Sequence, residues 1–106
     1  MNKKIIALPK LNNLSPTLES TALKLMEEAG ELAQAIGKFR GLNGEDISLQ
    51  EQQVMEKITG ELLDVAQTAV SMMFVLEENY GINIEHAIEE HVEKLKRKGY
   101  LLDITG

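Results

Sequence analysis

The stretch LLDVAQTAVSMMFVL, residues 62–76, decides the fold of this chain. Its apolar residues continue a helical period that starts upstream, at Val54, Ile58, Leu62, Val65, Ala69, Met72 and Leu76. Its polar residues join Glu61 on one narrow stripe: Asp64, Gln67, Thr68 and Ser71. A helix that is apolar on most sides has to be covered on most sides. A short chain can scarcely do this alone, so the stretch predicts a helical bundle that another subunit completes.

Local signals predict a helix on either side of this one. Ser15 and Pro16 have the residue types of an N-cap and a first helical position. Ser48 and Glu51 predict a capping box at the start of the long helix, and Asn83 is the predicted N-cap of a third helix. No segment alternates in the manner of a strand. The predicted fold class is therefore all-α, an antiparallel helical bundle completed by oligomerisation.

Length and composition narrow the class of protein. The 106 residues predict a single domain, with residues 1–14 as an N-terminal extension and a core over about residues 15–100. The net charge of −6 disfavours nucleic acid or an anionic membrane as the main partner. No stretch is expected to span a membrane. The absence of cysteine is consistent with a cytoplasmic location.

Two pairs of acids have the spacing of a metal site. Glu28 and Glu31 are three residues apart on the first predicted helix, and Glu61 and Asp64 repeat that spacing on the second. Each pair flanks the apolar stripe of its helix, so antiparallel packing would bring four carboxylates to one rim of the core. One such pair is more often a solvated face, but two pairs favour a ligand set. Oxygen ligands without His or Cys suit Mg²⁺ or Mn²⁺ rather than zinc.

The two acidic segments also resemble a known family. LMEEAGEL at residues 25–32 and GELLDV at residues 60–65 resemble the E-E-x-x-E and E-x-x-D motifs of the MazG-like, all-α nucleoside triphosphate pyrophosphohydrolases. The resemblance implies that Glu28, Glu31, Glu61 and Asp64 are Mg²⁺ ligands and catalytic residues, with Glu27 as the first acid of the motif. It also implies hydrolysis of (deoxy)nucleoside triphosphates to the monophosphate and pyrophosphate by a homodimer or homotetramer. The biological role would be removal of unwanted nucleotides. One carboxylate would orient the attacking water, and Glu31 is a candidate for this.

A basic run closes the third predicted helix, and Gly99 is the predicted C′ residue that ends it. By itself the basic run predicts a basic C-terminal turn that complements the helix dipole. The resemblance implies phosphate contacts there, and Lys94, Arg97 and Lys98 are the candidates.

The alternative function is a non-catalytic oligomeric helical module that binds nucleotide or a protein partner.

Overall fold

The computed structural model describes residues 2–39 and 51–102. They form three helices: α1 (Leu18–Phe39), α2 (Glu51–Tyr80) and α3 (Ile84–Arg97). No strand occurs among these residues. The prediction of an all-α fold is confirmed.

Helices α1 and α2 pack against each other and hold the core. Glu31 lies beside Glu61, while Thr21 lines the same cavity as Ser71, so the two helices run in opposite directions. The buried apolar side chains are few and of modest size: Ala35, Val54 and Val75. The buried polar side chains are at least as numerous: Thr21, Glu28, Thr68 and Ser71. A polar interior of this kind is a common place for a functional site.

The start of α1 differs from the prediction. The Thr17 hydroxyl accepts a hydrogen bond from the Ser20 amide at 3.0 Å, and the Ser20 hydroxyl accepts one from the Thr17 amide at 2.8 Å. Thr17 is therefore the N-cap, two residues after the predicted Ser15, because these reciprocal bonds satisfy both amides. The predicted capping residue Ser48 lies outside the described residues.

The predicted limits of α3 are confirmed. The side chain of Asn83 accepts a hydrogen bond from the backbone amide of His86 at 3.0 Å and caps the helix. Gly99 has a φ of +81°, and the amides of Gly99 and Tyr100 donate to the carbonyls of Lys96 and Leu95. This pairing is a Schellman motif, which ends a helix at a residue with positive φ.

The chain is flat and open. It measures 46 × 45 × 21 Å and its radius of gyration is 17.4 Å, against about 13 Å for a compact chain of this length. α3 packs extensively on neither of the other two helices in the described part of the chain. Large apolar side chains are exposed on all three helices, for example Leu23, Leu62 and Ile88.

Helix α2 bears on one expectation. It is long and apolar enough, by length and composition, to cross a membrane, with a mean hydropathy of 1.2 and only 17% of the apolar window buried. Length and composition alone do not decide whether a helix spans a membrane, so the expectation that no stretch does so stays a prediction. Core helices of soluble proteins have the same composition, and α2 also carries the ionisable residues Glu61 and Asp64.

Candidate functional site

Three carboxylates meet where α1 packs on α2. One side-chain oxygen from each of Glu28, Glu31 and Glu61 lies within 4.8 Å of the others. Glu28 and Glu31 stand one helical turn apart on the face of α1 that meets α2. Glu61 reaches the group from α2. We call these three residues the carboxylate cluster.

Two oxygens of the cluster have no partner. The Oε2 atoms of Glu28 and Glu61 are buried and accept no hydrogen bond, and Glu28 is only 7% exposed. A buried carboxylate oxygen without a donor is unfavourable, because it has lost its hydration and gained nothing in exchange. A divalent cation would supply the missing positive charge, so the residues present fit a metal ion.

Each of these buried acids is paired through its other oxygen. Lys24 Nζ lies 3.1 Å from Glu28 Oε1, and Lys57 Nζ lies 3.5 Å from Glu61 Oε1. Both lysines stand four residues before their glutamate, which is the spacing at which helical side chains meet. The hydrogen bond to Glu28 is the main reason why the pKa of Lys24 is raised. The sequence motifs did not single out these lysines, although their spacing from the acids was visible.

The carboxylates repel one another, and Glu31 shows the effect. Its pKa is raised mainly by the negative charge of Glu28, with smaller contributions from partial burial and from Glu61. Like charges at this separation favour the protonated form of one member. The cluster is therefore electrostatically strained in the absence of a cation.

Asp64 lies outside the cluster. Four acids were expected at one rim, and only three of them come together. Asp64 is exposed and lines a cavity into which Glu28 also opens. Glu27, the first acid of the motif, is exposed, and its Oε1 atom lies 3.7 Å from Lys24 Nζ. The structure thus distinguishes three converging acids from two at the periphery.

The cavity beside the cluster has a volume of about 430 Å³, within the range of small-molecule sites. It lies between α1, α2 and the segment that precedes α1. Its walls combine aliphatic side chains with hydroxyl, amide and charged groups: Leu11, Leu14, Ser15, Pro16, Ser20, Thr21, Lys24, Glu28, Asp64, Gln67, Thr68 and Ser71. The Ser71 hydroxyl is buried there without a hydrogen-bond partner.

The N-terminal segment forms one wall of this cavity. The Gln67 side-chain amide donates to the Pro9 carbonyl at 2.8 Å, and Lys10 pairs with Glu78. Gln67 and Glu78 are about three turns apart on α2, so the segment crosses that helix between two anchors. Residues 1–14 were predicted only as an extension, without this contact. No local pattern signals it, since Pro9 and Gln67 are 58 residues apart.

The predicted phosphate-binding residues are elsewhere. Lys94, Arg97 and Lys98 are exposed on or just after α3 and do not line the cavity. Within one chain, the described structure brings none of them to the carboxylate cluster. Their predicted contact with phosphates is therefore not seen within one chain.

Comparison with known proteins identifies the family. The model of the MazG nucleotide pyrophosphohydrolase domain matches residues 16–99. The chain belongs to this family. The uncharacterized protein YvdC of Bacillus subtilis (strain 168) is 30% identical over 74 residues, which cover 70% of this chain and 68% of YvdC. No solved structure matches the chain significantly.

Membership of the MazG family indicates the type of reaction at this site. The family indicates a hydrolase of the pyrophosphohydrolase type that binds a nucleotide substrate. The matched residues include the whole carboxylate cluster and every cavity-lining residue that α1 and α2 contribute. The cluster and the cavity are therefore the candidate active site.

Proposed function

We propose that this MazG-family chain hydrolyses (deoxy)nucleoside triphosphates to the monophosphate and pyrophosphate, with Mg²⁺ as its cofactor. The observation that carries the proposal is the pair of buried, partnerless carboxylate oxygens on Glu28 and Glu61, next to a cavity of suitable size. Family membership supports the reaction type. The metal and the bond that is cleaved are our inference.

The donor set is suited to Mg²⁺, with Mn²⁺ as a substitute. Hard divalent cations prefer carboxylate oxygens, and the cluster contains no His. Glu28, Glu31 and Glu61 would hold the cation, and Asp64 would add an oxygen from the cavity side. When bound, the ion neutralises charge on phosphate oxygens and lowers the pKa of the attacking water.

Glu31 is the candidate for orienting that water. It is the exposed member of the cluster, so solvent reaches it while Glu28 stays buried. The charge of Glu28 raises the pKa of Glu31 in the metal-free chain, and a carboxylate positioned beside a water can accept its proton. Glu31 would therefore hold the water by a hydrogen bond and accept its proton.

The cavity is the proposed nucleoside subsite. Moving away from the cluster, its walls pass from Glu28 to Thr21 on α1 and from Asp64 to Ser71 on α2. Phosphates held at the cluster would thus place the sugar and base between Thr21 and Ser71. Among the residues that the structure describes, no aromatic side chain lines the cavity, so aliphatic contacts and hydrogen bonds would hold the base in place of stacking.

A homodimer or homotetramer is the proposed active form. The chain exposes 8627 Å² of surface, whereas a folded monomer of 11.8 kDa exposes about 5,900 Å². Assembly would cover the excess and bring Lys94, Arg97 and Lys98 of one copy towards the cluster of another. These residues would then hold the β- and γ-phosphates.

The proposed role is removal of unwanted nucleotides in the cytoplasm. The rival function is a module that binds nucleotide without turnover. Incubation of the purified protein with each triphosphate and Mg²⁺, followed by chromatography of the products, separates the two. We expect monophosphate and pyrophosphate in equal amounts. Diphosphate with orthophosphate, or no product with any triphosphate, would refute the proposed reaction.

A further inference from the structure

Lys24 lies at the junction of the carboxylate cluster and the cavity. Its ammonium group is 3.1 Å from Glu28 Oε1, and its side chain lines the cavity together with those of Glu28 and Asp64. The Lys24 side chain is 54% exposed, whereas that of Glu28 is 9% exposed. A half-exposed, flexible cation thus covers a buried anion at the entrance to the site.

Lys57 provides an internal comparison. It pairs with Glu61 at 3.5 Å, as Lys24 pairs with Glu28, and it stands four residues before its glutamate in the same way. In both pairs the second carboxylate oxygen is buried and partnerless. The two lysines differ in position, since Lys24 lines the cavity and Lys57 does not.

We propose that Lys24 is a phosphate-binding residue of this site. It neutralises Glu28 in the free protein and pairs with the phosphate next to the nucleoside when a divalent cation binds Glu28. The proposal rests on the function proposed above.

Electrostatics provides the reason for the exchange. Lys24 and the cation compete for one carboxylate, and the cation carries the larger charge, so its binding weakens the attraction of Glu28 for the ammonium group. The lysine side chain has a flexible stem of four carbons and can turn without backbone movement. A nucleotide that bridges the cluster and the cavity has to pass Lys24, and its phosphate at that point is the one attached to the sugar.

The test compares Lys24→Met with Lys57→Met in the full-length chain. Methionine has a similar length and no charge. In calorimetric titrations without nucleotide, both variants should bind Mg²⁺ about two- to fivefold more tightly than the parent, because a competing cation is gone. With a triphosphate substrate, kcat/KM should fall about ten- to hundredfold in Lys24→Met and stay within twofold in Lys57→Met. Lys24→Arg should recover part of the loss.

The opposite directions of the two effects distinguish this role from a structural one. If Lys24 only positions Glu28, its replacement should weaken Mg²⁺ binding and lower activity together, and that result would overturn the proposal. An unchanged kcat/KM in Lys24→Met would also overturn it.

A non-hydrolysable triphosphate analogue separates this proposal from the proposed function. If the parent binds the analogue but cleaves no triphosphate, the proposed reaction fails, and weaker analogue binding by Lys24→Met still supports the phosphate contact. Equal analogue binding by Lys24→Met and the parent refutes the contact. A parent that neither binds nor cleaves any nucleotide refutes both.

Discussion

Replacement of Leu63 by Asp should break the proposed assembly of this protein. Leu63 is 48% exposed on α2, in a groove shared with Met55 and Gly60 on the outer side of that helix. It lines neither the nucleoside cavity nor the carboxylate cluster. The substitution therefore tests the apolar helix surface without touching the proposed chemistry.

The structure gives the expected change in the dissociation constant of the assembly. The chain exposes 8627 Å², about 2,700 Å² more than expected for a folded monomer, and a standard interface takes about 800 Å² from each partner. Burying the exposed half of a leucine contributes about 1 kcal/mol, and burying a partnerless polar group costs at least about 1 kcal/mol. The change occurs in both copies across a twofold axis, so the dissociation constant should rise about a thousandfold.

Light scattering coupled to size-exclusion chromatography at micromolar concentration is the assay. The parent should elute as a dimer or tetramer, and Leu63→Asp should shift towards monomer or unfold. Ile5→Asp is the matched control, because Ile5 is exposed in the N-terminal segment and should leave the assembly intact. A parent that is a stable, well-folded monomer of 11.8 kDa would refute the reasoning.

Four further predictions concern the site. Glu61→Gln should abolish most turnover with unchanged circular dichroism, because the amide keeps the shape of the side chain and loses the charge for the metal; activity within a few-fold of the parent would count against the cluster. Mg²⁺ at a hundredfold excess over its dissociation constant should raise the free energy of unfolding of the parent by about 2.7 kcal/mol. Without metal, Glu31→Gln should melt at a higher temperature than the parent, because a repulsive charge is gone, and its melting temperature should respond less to Mg²⁺. Sodium chloride of equal ionic strength should not reproduce this response, and identical effects of the two salts would exclude a specific site. Glu28 raises the pKa of Glu31 in the folded chain, so protonation of Glu31 stabilises the fold. This stability is present below the unfolded pKa of about 4.3 and is lost as pH rises through the folded pKa. Melting curves of the metal-free parent should show this loss, and those of Glu31→Gln should not. Equal pH slopes in the two proteins would contradict the electrostatic account. Leu14→Ala should raise KM and alter the preference among bases, while Ile6→Ala, a change at another exposed aliphatic residue outside the cavity, should alter neither; equal kinetics in these variants would refute the nucleoside subsite.

The helices were predictable because their signals are local. Apolar periodicity and capping residue types together predicted the three helices, and the cap at Asn83 and the stop at Gly99 lie where their residue types predicted. The first cap was misplaced because Ser15 and Thr17 both have suitable side chains, and only the reciprocal bonds with Ser20 select Thr17. Such choices depend on a few ångströms of geometry that residue type does not specify.

The candidate site was predictable only in part. The three-residue spacing on each helix correctly grouped Glu28 with Glu31, and antiparallel packing correctly brought Glu61 to them. The same spacing also placed Asp64 in the group, but positions three apart on a helix point about 60° apart. The rotation of α2 against α1 directs Glu61 into the cluster and leaves Asp64 on the cavity wall.

The sequence by itself determined the helical class, the candidate carboxylates and an apolar surface too large for one short chain, since each follows from residue type and local spacing. Tertiary structure alone decided which acids converge, which oxygens lose their partners and which lysine faces the cavity. It also decided that the N-terminal segment forms a wall, through a hydrogen bond between residues 58 positions apart. Contacts of this range depend on how whole helices pack and rotate against each other, and no periodicity along the chain records that rotation.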